Sequence, residues 1–105
     1  MRKPPMNLTT FEKKAGEVAE VLKAVGNDRR LMVLCKLAEH GERTVGDLAD
    51  DVGLSQSALS QHLARMRDEG LVAFRRESQM LWYRIADPRT KALLATLYQL
   101  YCQED

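Results

Sequence analysis

Two thiols, and a run of amide, hydroxyl and guanidinium side chains, are the chemically capable groups of this 105-residue chain. Cys35 and Cys102 are its two cysteines. As thiolates they could attack an electrophile, join on oxidation or bind a soft metal. They lie far apart in sequence with no C-x-x-C, so the pattern is neither a zinc ribbon nor a secreted disulfide framework. The two histidines, His40 and His62, fall at the end of one helical pattern and on the inner flank of another. Zinc or a soft metal needs several convergent N or S ligands. No such set assembles, so no metal and no cofactor is expected. An enzyme is not expected either, because a Cys–His pair at a recognisable motif and a Gly-rich phosphate loop are also missing. Taken alone, Cys35 and Cys102 fit two unrelated buried cysteines as well as a reactive pair.

The second group of residues could read nucleic acid. On a helical wheel over residues 56–69, Leu59, Leu63 and Met66 cluster on one side. Ser57, Gln61 and Ala64 sit opposite, flanked by Ser60 and Arg65, with Gln56 in the first turn. Gln can bond bidentately to adenine, Ser donates or accepts, and Arg takes guanine or phosphate. The small Ala64 does not obstruct close approach. Arg75, Arg76 and Gln79 follow at or near the tip of a hairpin. The same residues also fit a solvated helix face and a solvated hairpin edge, so the pattern alone leaves both readings open.

These side chains need a scaffold, and the periodicity supplies one. Phe11, Ala15, Val18, Leu22 and Val25 recur at three and four, predicting a helix capped by Thr9 or Thr10. Gly26-Asn27 ends it, and Asp28 is placed to cap a second helix running to about His40. That helix, with Leu31, Met32, Val33, Leu34, Cys35, Leu37 and Ala38, is apolar nearly all round and should be central. Thr44 caps a short third helix with Asp47 at its third position. Val52-Gly53-Leu54-Ser55 forms a tight corner, and Ser55 opens a fourth helix that continues to Glu69, with Gly70 as a left-handed stop. Val72, Phe74, Leu81, Tyr83 and Ile85 then alternate with Ala73, Arg75, Trp82 and Arg84. This predicts a two-stranded hairpin with its tip at Glu77-Ser78-Gln79. Asp87-Pro88 starts a last helix whose stripe is Leu93, Leu94, Leu97, Leu100 and Tyr101. The fold class is therefore mainly α with a two-stranded β-wing, in the order α-α-α-α-β-β-α. Residues 1–8 read as a disordered lead, and residues 9–105 as one winged helix-turn-helix domain.

Composition agrees with one small globular unit: 45% hydrophobic and 30% charged residues, with a net charge of +1. The positive excess falls in the middle of the chain, where Arg65, Arg67, Arg75, Arg76 and Arg84 outnumber Asp68, Glu69 and Glu77. Arginine suits phosphates and guanine edges. No apolar stretch approaches the roughly 20 residues of a membrane helix. The basic start Met1-Arg2-Lys3-Pro4-Pro5 is followed by no apolar segment, so a cytoplasmic location is expected. A chain of this size buries a modest core, and pairing with a second copy would add apolar burial.

Leu54-Ser55-Gln56-Ser57-Ala58-Leu59-Ser60-Gln61-His62-Leu63 and Arg65-Met66-Arg67-Asp68-Glu69-Gly70-Leu71-Val72 resemble the recognition helix and first wing strand of the ArsR-type winged-helix repressors. The resemblance runs over about residues 10–103. It implies a homodimer joined by the first and last helices, in keeping with Val18, Leu22, Leu93, Leu97 and Leu100. It also implies an inverted-repeat DNA operator, read by Gln56, Ser57, Ser60, Gln61 and Arg65 with Arg75, Arg76 and Gln79 on the wing. Arsenic- and cadmium-sensing members carry Cys-x-Cys in the third helix, where this chain has Thr44-Val45-Gly46-Asp47. Zinc sensors carry paired Asp and His on the last helix, where Arg89 replaces the first His after Asp87. Leu34-Cys35-Lys36-Leu37 and Leu100-Tyr101-Cys102-Gln103 instead resemble the two sites of the sulfide- and persulfide-responsive subgroup typified by BigR, SqrR and HlyU. That likeness implies a dimeric repressor released from DNA when reactive sulfur species link Cys35 to Cys102. The same scaffold answering to a metal, or a regulator or antirepressor without a sensor, are the alternatives. No sequence neighbour plainly activates either thiol.

Overall fold

The computed structural model describes residues 7–102. The elements are α1 (Leu8–Val25), α2 (Asp28–His40), β1 (Arg43–Thr44), α3 (Val45–Val52), α4 (Gln56–Asp68), β2 (Val72–Glu77), β3 (Met80–Ile85) and α5 (Pro88–Cys102). This is the expected winged helix-turn-helix with one strand added. Most of the expected lead lies outside the described residues, and Leu8 is already helical.

Two helix starts differ from the sequence reading. Asn7, rather than Thr9 or Thr10, caps α1, its Oδ1 accepting from the Thr10 N–H at 3.2 Å. Asn27 caps α2 in place of Asp28, accepting from the N–H groups of Arg29 and Arg30 at 3.0 and 3.2 Å. Asn is among the strongest N-cap residues, and Asp28 is left in the first turn, where its charge suits the positive end of the helix. Thr44 and Ser55 cap α3 and α4 as expected, accepting from Asp47 and Ala58 at 3.2 and 3.1 Å. Gly53 and Gly70 stop these helices with φ of 71° and 79°, values that a Cβ would strain. The last turn of α4 closes at Asp68, with Glu69 as its cap.

The sheet has three antiparallel strands in the order β1-β3-β2. The expected hairpin pairs Val72 with Ile85, Phe74 with Tyr83 and Arg76 with Leu81, so these six residues share one face. Its connection is tighter than Glu77-Ser78-Gln79, because Glu77 pairs with Met80 and leaves only Ser78 and Gln79 in the turn. Ser78 takes φ of 56°, the positive φ that two-residue hairpins favour. β1 was not legible in the sequence, since two residues are too few to alternate. It pairs Arg43 with Tyr83 and Thr44 with Trp82. Arg43 also donates from Nε and Nη2 to the Asp51 carboxylate at 3.0 and 2.9 Å, which ties β1 to the far end of α3.

The core joins the helices to the inner sheet face. Leu34, Leu37, Leu48, Leu59, Leu63 and Met66 are fully buried, with Leu71, Val72, Tyr83 and Leu94 around them. Each such side chain contributes about 1.5–3 kcal/mol of burial, so α3 and α4 are held at their angle mainly by Leu48, Leu59 and Leu63. α2 touches α1, α3, α5 and β3 and is central as expected. It is not buried all round, because Met32 stays 47% exposed. α1 is the least covered helix: only Ala24 and Val25 are buried, while Phe11 and Ala15 of its stripe face outward. Among the described residues, no helix is long and apolar enough to cross a membrane.

Candidate nucleic-acid interface and thiol pair

The buried Leu59, Leu63 and Met66 fix the rotation of α4 and thereby its outward face. Gln56, Ser57, Ser60, Gln61 and Arg65 are all exposed on it, and Ala64 is half-buried between them. A groove of about 620 Å³ runs between the start of α3, the start of α4 and the wing. Gln56 and Ser60 line it with Gln79 from the turn, so these three predicted residues are brought together. Ser57, Gln61 and Arg65 stand outside that groove. Asp47 and Asp50 also line it, and the sequence reading missed them. Asp47 had a sufficient local role near the Thr44 cap, and Asp50 stands three residues on, so their shared wall shows only once α3 is docked.

The two wing arginines are adjacent in sequence and opposite in space. Arg76 shares the face of Phe74 and Leu81, is exposed, and has no ion pair among the described residues. Arg75 lies on the other face with Trp82. Its Nε donates to both Glu42 carboxylate oxygens at 3.0 and 3.2 Å, and Nη2 donates to Oε1 at 3.0 Å. The guanidinium also lies 5.6 Å from the Trp82 ring centroid and 3.6 Å from Glu77. The hydrogen bonds from Arg75 hold the Glu42 carboxyl below the usual carboxylate range, against a smaller opposing effect of desolvation. Arg75 is thus already paired with an anion, and Arg76 is not.

The thiols approach each other across α2 and α5. Cys35 is half-buried and Cys102 is exposed in the last turn of α5. Both line one apolar cleft of about 390 Å³, walled by Leu31, Leu94, Leu97, Tyr98 and Tyr101. Burial, and secondarily the neighbouring Cys102, push the Cys35 thiol up from its ordinary pKa. Among the described residues no cation offsets this, in line with the absence of an activating sequence neighbour.

His40 and His62 do not converge with the thiols. Among the described residues, no group of three or more His, Cys, Asp and Glu side chains is placed to hold a metal ion. Arg89 instead ties α5 to α1. Its Nη1 donates to Glu17 Oε2 at 2.8 Å and its Nε to Asp87 Oδ1 at 3.3 Å. Asp87 also accepts from the Arg89 N–H at 2.9 Å and from the buried Thr90 hydroxyl at 3.3 Å, which opens α5.

Of the residues expected at a dimer interface, Val18, Leu93 and Leu97 are half-buried, while Leu22 is 53% and Leu100 72% exposed. Leu8, Phe11, Tyr98 and Tyr101 are also large and exposed. A single small domain with this much apolar surface on its two terminal helices has an uncovered face.

Residues 27–73, from the cap of α2 to the start of the wing, match the model of the bacterial regulatory proteins of the arsR family. The transcriptional activator HlyU of Vibrio cholerae is 46% identical over 99 residues, covering 94% of this chain and 91% of that protein. This chain belongs to the ArsR family. It is a DNA-binding transcriptional regulator and not an enzyme. The fold comparison agrees beyond the matched segment. The transcriptional repressor BigR of Xylella fastidiosa superposes with a TM-score of 0.87 at 37% identity, covering 94% of this chain and all of that one. A structure described as reduced HlyU from Vibrio cholerae gives 0.82 at 45% identity, over 90% and 98% of the two chains. In ArsR-family terms α3 and α4 are the helix-turn-helix, and β2 and β3 are the wing.

Proposed function

We propose that this ArsR-family regulator is a homodimeric repressor that reads an inverted-repeat operator and is released when reactive sulfur species link Cys35 to Cys102. The observation that carries the switch is the shared cleft: two thiols distant in sequence open onto one apolar space between α2 and α5. The thiolate attacks disulfide and sulfane sulfur alike, so two thiols in one such space can be bridged. That a relative has been described in a reduced form is in keeping with a thiol that changes state. α5 carries Cys102 on one side and Leu93 and Leu100 on another, so a link to α2 acts on the helix that also holds the dimer together. A displacement there shifts one recognition helix relative to the other.

In this reading Gln56, Ser57, Ser60, Gln61 and Arg65 contact the major groove, and Arg75, Arg76 and Gln79 contact the flanking backbone. The half-site centres lie about 10 bp apart, the spacing that puts two recognition helices on one face of the duplex. Gln61→Ala weakens operator binding by about 1–3 kcal/mol and relaxes one base preference, because a bidentate base contact is lost. Titration on operator and on random duplex measures both. Equal losses on the two DNAs count against base reading by Gln61.

The wing arginines are expected to separate. Arg76 is unpaired and releases a counterion when it meets phosphate, so Arg76→Gln lowers the salt slope of log K by about one unit. Arg75 must leave Glu42 first, so Arg75→Gln lowers it by less. Equal effects at Arg75 and Arg76 would show that DNA displaces Glu42 completely.

A further inference from the structure

Cys35 stands at the junction of two clefts, only one of which the thiol pair uses. The apolar cleft toward Cys102 lies on one side of it. On the other side of Cys35 a second cleft of about 350 Å³ shares Leu94 and Tyr98 with the first and is rimmed by Glu39, Lys91 and Gln99. Its polar rim holds one cation, one carboxylate and one amide around a half-buried thiol. Glu39 also lies 3.5 Å from Lys36 and 3.6 Å from His40, whereas Lys91 has no ion pair among the described residues.

We propose that this second cleft is a docking subsite for amino-acid-type persulfides, with Lys91 and Gln99 taking the carboxylate, Glu39 the ammonium group, and the sulfane sulfur presented to Cys35. The proposal rests on the reading that sulfur chemistry at Cys35 is the signal, and adds the class of molecule that delivers it. Three observations support it. The volume is in the range of small-molecule sites, about 300–1,000 Å³. The charges on the rim are complementary to a zwitterion, while the walls nearest the thiol are apolar and match its sulfur end. The position on α5 is compatible with dimerisation: Lys91, Ala95 and Gln99 recur at four-residue spacing, and Leu93 and Leu100 project from the other side of the helix. A dimer built on the Leu93 and Leu100 side leaves this cleft open.

A subsite also answers a kinetic need. A thiol raised by burial is little ionised at neutral pH, so a dilute effector meets it slowly. Holding the effector beside the sulfur converts that encounter into a local reaction. The thiolate of Cys35 attacks the terminal sulfur of R–S–SH. The effector S–S bond breaks, Cys35–S–SH forms, and the amino-acid thiolate leaves and takes up a proton. The Cys102 thiolate then attacks Sγ of Cys35 and expels hydrosulfide, giving Cys35–S–S–Cys102. If Cys102 has been persulfidated too, its terminal sulfur attacks instead and a trisulfide forms with the same leaving group. The persulfide is the oxidant throughout, and is reduced to thiol and hydrosulfide.

The test compares two sulfur donors on the full-length protein: cysteine persulfide, which carries both charges, and inorganic tetrasulfide, which carries neither group. Intact mass gives the rate of Cys35 modification in wild type, Lys91→Gln and Glu39→Gln. Lys91→Gln is expected to slow cysteine persulfide at least tenfold and to leave tetrasulfide within twofold. Glu39→Gln should act in the same direction with a smaller change. Lys91 is exposed, so the fold does not depend on it. Equal rates in wild type and Lys91→Gln, or equal slowing of both donors, overturn the subsite while leaving the thiol switch standing. A wild-type protein that forms no Cys35–Cys102 link with either donor overturns the switch and the subsite together.

Discussion

Serine at Cys35 or at Cys102 leaves operator affinity unchanged and abolishes release by persulfide. Both substitutions are nearly isosteric. Cys102 is exposed and Cys35 half-buried, and neither lies on α4 or the wing, so the reduced protein keeps its reading face. What is lost is the second end of the bridge, and a one-ended modification does not pull α5 toward α2. In the wild type, a tenfold loss of affinity requires about 1.4 kcal/mol of difference between linked and free dimers. A modest displacement of α5 supplies that. A reagent preference turns on the separation of the two Cα atoms in the reduced protein. A plain disulfide needs Cα atoms about 4.4–6.8 Å apart, and each inserted sulfur lengthens the bridge by up to about 2 Å. Where the reduced protein holds the Cα atoms beyond that range, sulfur-rich donors close the apolar cleft with less strain on the helices than peroxide does. Titration of operator DNA before and after treatment, with intact mass in parallel, decides the point. Release of DNA from either single mutant would remove the two-thiol switch.

The second large effect is expected at the uncovered face of the terminal helices. Leu22→Glu together with Leu100→Glu yields folded monomers that bind operator at least a hundredfold more weakly. Leu22 and Leu100 are 53% and 72% exposed, so their replacement costs the single chain little burial. In the dimer they would lose apolar contact, and like charges would meet across a two-fold axis. The DNA effect is large because two linked reading heads bind as one. The second half-site is met at millimolar effective concentration, which raises affinity by about 10²–10⁴ over one head. Sedimentation gives the oligomeric state, circular dichroism the fold, and titration the affinity. A double mutant that stays dimeric would place the interface elsewhere.

Much of the scaffold was legible because local chemistry and tertiary need agree. Thr44 and Ser55 are caps by side-chain chemistry, Gly53 and Gly70 are stops by their backbone freedom, and Leu59, Leu63 and Met66 can only face inward. The starts of α1 and α2 were misplaced by one to three residues, because each offers competing cap residues. Asn7 against Thr9 and Thr10, and Asn27 against Asp28, are choices that the packing of the helices makes. β1 gave no signal at all, since its two residues are a strand only by virtue of β3 beside them.

The chemistry divides in the same way. The residue types alone determined a helix presenting Gln, Ser and Arg, and a basic wing, because a 3.6-residue period and a two-residue alternation assign faces without any knowledge of neighbours. They determined too that no metal-ligand spacing and no C-x-x-C are present. Partnerships between distant residues were beyond the reach of periodicity. That Arg75 is occupied by Glu42 while Arg76 is unpaired depends on β1 holding the α2–β1 connection against the outer sheet face. That Asp47 and Asp50 share a groove with Gln56 depends on the angle set by Leu48, Leu59 and Leu63. That Cys35 and Cys102 open onto one cleft depends on α5 returning across α2. Ion pairing and sulfur transfer act over a few ångströms between atoms, and separation along the chain does not determine that distance until the helices have docked.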